Sequence, residues 1–198
     1  MPMIDLESAA REVVGLLDGV TEDQLDDPTP CADTPVAALL DHLMGLSIAF
    51  TWAARKTTPP EGGPGPSANA ERLDPQWRTL LPQRLDELVE AWRDPIAWEG
   101  MTEAGGVTMP AQEMGMVALD ELVLHGWDLA RATGQPFTCN PADTAAVLAF
   151  TSASAQPDQA ASREGLFGPV VEVPEDAPAF DRALGFAGRD PAWTPKLA

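Results

Sequence analysis

Histidine is nearly absent from this chain: its 198 residues contain two, His42 and His125. Basic residues are scarce as well, 12 lysines and arginines against 31 acidic residues, for a formal net charge of -19. That imbalance repels a phosphate backbone and an anionic bilayer at long range, so neither nucleic acid nor a membrane surface is an expected partner. Cysteine is limited to Cys31 and Cys139, too few for a disulfide framework; two reduced thiols in a cytoplasmic protein are the expectation. The opening stretch MPMIDLESAAREVV has no basic region followed by an apolar one, so no signal peptide is expected, and no apolar run is read as approaching a membrane span.

What is present is helical. Hydrophobic content of 44% with 22% charged residues reads as a soluble globular chain, long enough to bury a core. Residues 4–19 place Leu6, Ala10, Val13, Val14 and Leu17 at helical spacing. Thr21 and Gln24 form a capping-box pattern for one short turn. A second helix is predicted to open with Thr34 as N-cap and Pro35 at its first position, carrying an apolar stripe of Val36, Leu39, Leu40, Leu43, Ser47 and Phe50. Residues 57–70 are rich in Pro and Gly and read as an exposed loop, which leaves open whether they cover a pocket. A third helix over about 75–93 has Trp77, Leu81, Leu85, Leu88 and Trp92 on one face and stops before Pro95. A hairpin is allowed around Gly105 and Gly106. The fourth helix runs from about 110 to 133 and ends at Gly134, and a fifth starts near Asn140 and Pro141. Beyond 156 the chain turns irregular, with a short strand allowed over 168–173 and one short helix over PAFDRALGFAG. The expected fold class is all-α: a four-helix bundle over 1–155 with short additional helices, and an irregular C-terminal extension over 156–198 packed on it.

Chemistry concentrates in DELVLHGWDLARATGQ, residues 120–135. Residues four apart on a helix lie almost above one another. Glu121, His125 and Asp128 therefore share a side with Met114, Val117, Ala118, Leu124 and Ala132, a side that should face the core. An isolated carboxylate buried there costs several kcal/mol, roughly, and needs compensation. One divalent cation supplies it: Glu121 and His125 as ligands at i and i+4, with His42 on the second helix available as a third. Two histidines and one carboxylate suit zinc with an open fourth position, and suit non-haem iron equally. A salt-bridged Glu121 with a hydrogen-bonded His125 and an unrelated His42 is the competing account. Asp128 is read as orienting a ligand or carrying a proton, or else as pairing with Arg131. Trp127 and the methionines read as packing. Cys31 lies just ahead of a helix N-terminus and reads as structural, and Cys139 carries no signal.

DDPTPCADTPVAALLDHLMG, then DELVLHGWDLARATGQ, then GFAGRDPAW near the end together resemble the actinobacterial DinB-like, mycothiol-dependent maleylpyruvate isomerase-type metal-binding family. The similarity extends over nearly the whole chain. It implies a DinB-like bundle with one divalent metal, most simply zinc with nickel or iron as alternatives. Its ligand triad, carried over residue by residue, falls on His42, Glu121 and His125. The resemblance also implies a thiol such as mycothiol as fourth ligand, since a coordinated thiol is deprotonated outright, and a small electrophilic substrate for transfer or isomerisation. The family's substrate arginine has no motif here; Arg72, at the start of the third helix, is the candidate. Thr34 departs from the pattern, which commonly has tryptophan there. A metal hydrolase with an activated water, and a non-catalytic metal or small-molecule binding protein, stay open beside this reading, as does a homodimer.

Overall fold

The apolar stripes read from spacing are buried against one another. In this computed structural model, which describes residues 4–57, 68–159, 163 and 166–195, four long helices form the bundle: α1 (Glu7–Leu17), α2 (Val36–Arg55), α3 (Trp77–Arg93) and α4 (Ala111–Thr133). Helix α1 packs on α3 and α4, and α2 packs on the same pair. The face of α3 made by Trp77, Leu81, Leu85, Leu88 and Trp92 is at most 3% exposed, and the stripe of α2 from Val36 to Phe50 is equally buried. Each large apolar side chain so covered contributes about 1.5–3 kcal/mol. Two indoles in this core meet backbone carbonyls, Trp92 Nε1 donating to Phe50 at 3.1 Å and Trp98 Nε1 donating to Trp92 at 2.7 Å. Burial of these aromatics therefore leaves no N–H unpaired.

The capping box predicted at Thr21 and Gln24 is formed, with the Thr21 N–H donating to Gln24 Oε1 at 3.0 Å. The start of α2 differs from expectation. Pro35, in extended backbone, is the cap residue, and Thr34 lies outside the helix. The first free N–H groups of α2 are taken by the preceding loop, Val36 donating to the Asp27 carbonyl and Ala37 to that of Leu25. Backbone acceptors thus do the work assigned to the Thr34 hydroxyl. By length and composition alone α2 would cross a membrane, contrary to the reading that no run approaches a span. Most of its apolar window, 78%, is buried inside the fold, as in the core helix of a soluble protein.

Between α3 and α4 an antiparallel hairpin forms from β1 (Met101–Ala104) and β2 (Val107–Pro110), turning at Gly105 and Gly106. Helix α5 (Pro141–Ser154) starts at Asn140, whose side chain accepts from the Asp143 N–H, and lies against α4. Helix α6 (Ala179–Phe186) packs on α5. Residues 168–173, read as a possible strand, are not one. Val171 donates to the Gly185 carbonyl of α6, so the segment spends its backbone bonding on a helix end and meets no second strand. Of the loop expected over 57–70, residues 58–67 lie outside the described residues.

Candidate metal centre

Helix α4 carries most of the site. It ends where expected, Gly134 adopting left-handed geometry (φ 70°) that closes the helix without the steric cost of a side chain. Its 23 residues form one uninterrupted helix, so Glu121, His125 and Asp128 fall on one face, turned toward α2. His125 Nε2 and Glu121 Oε2 are 2.9 Å apart. From α2, His42 brings its Nε2 to 3.8 Å from the same oxygen. The two imidazoles meet edge to face, 5.0 Å between centroids at 86°. One donor atom from each of His42, Glu121 and His125 lies within 4.8 Å of the others. The group grades from the half-buried His42 and Glu121 to His125, whose side chain is 8% exposed.

Behind His125 stands a second layer. Asp128, wholly buried, places Oδ2 3.0 Å from His125 Nδ1, and accepts from Arg189 Nη2 at 3.0 Å and Nε at 3.5 Å. Burial by itself would raise the Asp128 pKa; the Arg189 charge and the His125 hydrogen bond outweigh it and hold the carboxyl below its usual range. Burial likewise works against a charged His125, yet its hydrogen bonds to Asp128 and Glu121 push it up to about 10. Glu121, against the same burial, is held well down by its hydrogen bond to His125 and by the neighbouring His42 imidazole. An ionised Asp128 fixes Nδ1 as the protonated nitrogen of His125, which aims Nε2 at Glu121 and His42. Asp120 is buried beside these groups with no partner for Oδ1 among the described residues; burial, then the Glu121 charge, push its carboxyl well above the ordinary range.

His42, Glu121 and His125, named from spacing and resemblance, thus converge. Asp128 is at the site as read, though not paired with Arg131, which reaches the other way to the Trp193 carbonyl and lies over the Trp127 ring. Trp127 is buried packing, as expected. Arg72 lies in an exposed turn, Ala70–Arg72, ahead of α3 and packed on α2. The guanidinium that sits within the site is Arg189, which sequence reasoning missed. The signal was the GRD in the GFAGRDPAW stretch, one of the two resemblance elements that carry an arginine. Cys31, read as structural, lies beside the site: its sulfur, His125 and Asp128 each offer an atom within 4.8 Å of the others. Cys139 is half-buried at the foot of α5, and burial raises its thiol pKa.

The model of the family described as the mycothiol maleylpyruvate isomerase N-terminal domain matches residues 6–130, which include all three converging side chains. Two proteins of Mycobacterium tuberculosis, from strains CDC 1551 and H37Rv and each described as uncharacterized, are 26% identical over 200 residues, covering 95% of this chain and 97% of theirs. The crystal structure of a histidine-to-alanine mutant of the mycothiol-dependent maleylpyruvate isomerase superposes with a TM-score of 0.57 at 19% identity, over 74% of this chain and 66% of that one. At that identity the likeness establishes the fold, an all-α DinB-like bundle, and nothing finer.

Proposed function

The chain belongs to the mycothiol maleylpyruvate isomerase N-terminal domain family, and from that membership we propose that it is a divalent-metal-binding enzyme that activates a low-molecular-weight thiol, mycothiol or a close relative, for transfer to or isomerisation of a small electrophile. The observation that carries the proposal is the convergence of His42, Glu121 and His125 on one point beside the middle of α4.

The donor set fits a metal. Bonds of about 2.0–2.2 Å to a tetrahedral ion set the donors about 3.3–3.6 Å apart, and the observed 2.9 Å and 3.8 Å separations straddle that range. His42 points Nε2 at the group from beyond hydrogen-bond range, and its buried Nδ1 has no partner among the described residues. An imidazole held this way, with neither nitrogen in a good hydrogen bond, is better explained by a ligand role than by a role in stability. The local charge supports the same reading, because the carboxylates of Glu121 and Asp128 share a region where, among the described residues, Arg189 is the one buried permanent cation. When bound, a zinc-class ion supplies Lewis acidity and holds a thiol as its thiolate near neutral pH.

The chain's own residues do the rest. Glu121 and the two imidazoles would hold the ion, and a small ligand would complete its set. Asp128 keeps the proton on Nδ1 of His125 and so keeps Nε2 free for coordination. The apolar wall behind them, Leu124, Val117 and Leu43 among its members, keeps bulk water from the inner side of the site. The two free cysteines support a cytoplasmic setting for this chemistry.

Metal analysis of purified protein tests the first half of the proposal, and an expected stoichiometry of one ion per chain falls to near zero in His125→Ala. Cobalt-substituted protein titrated with mycothiol tests the second half: a sulfur-to-cobalt charge-transfer band should grow in and saturate. A bound metal with no such band at saturating thiol would leave a hydrolase or a binding protein on the same scaffold and remove the thiol chemistry.

A further inference from the structure

We propose that Arg189 is a positioning residue of the candidate metal centre, which it governs through Asp128 and His125, so that the C-terminal segment is part of the site's machinery. This rests on the metal reading above and adds to it a residue that lies outside the 6–130 stretch matched by the family.

Arg189 is the one lysine or arginine buried among the described residues, 7% exposed in a chain of net charge -19. A buried guanidinium is retained only where its charge and donors are satisfied. Here Nη2 and Nε reach the two oxygens of Asp128, and Nη1 donates to the Ala187 carbonyl at 3.1 Å. The planar fork therefore fixes the plane of the carboxylate, which a single point charge would leave free to rotate. Asp128 Oδ2 is shared, accepting from Arg189 on one side and facing His125 Nδ1 at 3.0 Å on the other. Clamping the carboxylate thus sets the ring orientation of His125, and with it the direction of Nε2. Outer groups of this kind are what tune metal affinity in proteins that bind through histidine.

The delivery of Arg189 is itself built. Ala183 and Leu184 of α6 are fully buried, which fixes the helix. Gly188 then turns the chain with φ 82°, where a Cβ would come within 2.8 Å of the Gly168 backbone. The Arg189 N–H donates to the Leu184 carbonyl at 2.9 Å, and past the turn the Trp193 carbonyl is held by Arg131 of α4. Arg163 offers a contrast: it ties the same C-terminal segment together through the Gly168 and Phe186 carbonyls and has no bond to the triad or to Asp128.

The test uses the full chain carrying Arg189→Met, Arg189→Lys or Arg163→Met, with zinc affinity measured by chelator competition, the visible spectrum of the cobalt form, and thermal unfolding. Arg189→Met should weaken zinc binding about 10- to 100-fold and change the cobalt spectrum. Arg189→Lys should recover part of both, having the charge without the fork. Arg163→Met, which loosens the segment but keeps the fork on Asp128, should lower the unfolding temperature and weaken zinc binding less than Arg189→Met does. In an Asp128→Asn background, Arg189→Met should add no further loss of affinity, because the two act as one unit; that double variant also removes the buried charge pair together, so it serves if Arg189→Met alone does not fold. Wild-type affinity and spectrum in Arg189→Met, or in the double variant losses that simply add, would overturn the inference while leaving the metal reading intact. A wild-type chain that binds neither zinc nor cobalt would overturn the metal reading, and this inference with it.

Discussion

His125 and Glu121 stand one turn apart on α4 with Nε2 and Oε2 separated by 2.9 Å, and a third donor, His42 Nε2, approaches that oxygen from a different helix. The i, i+4 pair is local and would exist on an isolated helix; the third contact exists only because α2 packs against α4. Removing His42 should therefore separate metal binding from folding. His42→Ala is expected to reduce zinc affinity by more than about 100-fold, while its place at the edge of the core, with neither nitrogen in a good hydrogen bond, keeps the change in unfolding free energy within about 1 kcal/mol for the metal-free protein. Chelator competition and urea unfolding after metal removal check the two halves.

Asp128 makes the opposite case. Its side chain is fully buried between a histidine and an arginine. Asp128→Ala leaves the Arg189 guanidinium buried and uncompensated, for a cost of about 3–5 kcal/mol. Asp128→Asn keeps an acceptor for His125 Nδ1–H, retains most of the shape, and should cost less while still weakening metal binding. Chemical denaturation of both variants, with metal removed, is the measurement; equal stability of Asp128→Ala and wild type would contradict the buried-pair geometry.

The metal-free protein should also show a pH signature. Its His125 is pushed up to about 10, against burial, by Asp128 and Glu121, whereas an unfolded histidine titrates near about 6.5. A folded pKa above the unfolded one means stability that is full below about pH 6.5 and lost as pH rises through about 10. A metal at Nε2 takes the place of that proton, so zinc uptake at about pH 8 should release about one proton per ion. Calorimetry in buffers of different ionisation enthalpy reads the proton count, and unfolding of the metal-free protein between neutral pH and about pH 10 reads the slope.

The helices were legible because their signals are short-range. The α3 stripe from Trp77 to Trp92 and the Glu121–His125 spacing follow from a 3.6-residue period within one segment. Pairing His42 with them needed two helices to be neighbours, which the resemblance supplied and composition did not. What escaped was chemistry joined across distance. Arg189 meets Asp128 across 61 positions of sequence, and no local pattern marks such a pair. Arg72 was proposed without any geometric constraint, and it occupies an exposed turn. Thr34 shows the same limit on a small scale: a capping residue was inferred from its type, but the carbonyls of Leu25 and Asp27 had already met the helix N–H groups.

A residue far from the site tests the bundle alone. Arg78, on α3, donates from Nη1 to the Leu17 carbonyl and from Nη2 to that of Val20, each at 2.8 Å, and its guanidinium lies 4.2 Å from the Trp77 ring centroid. Those carbonyls belong to the C-terminal end of α1 and the turn after it, where acceptors lack partners within the helix. A cation placed there both satisfies them and opposes the helix dipole. The ion pair with Glu22 is on the surface and contributes little. Arg78→Ala should therefore destabilise the fold by about 1.5–3 kcal/mol through the two charged hydrogen bonds, and Glu22→Ala by less than about 0.5 kcal/mol. Urea unfolding of both variants reads these values, and neither substitution should alter zinc affinity, because neither side chain meets α4 or His42. A loss of metal affinity in Arg78→Ala, at temperatures where the variant is fully folded, would mean that the orientation of α1 reaches the metal centre through the packed core.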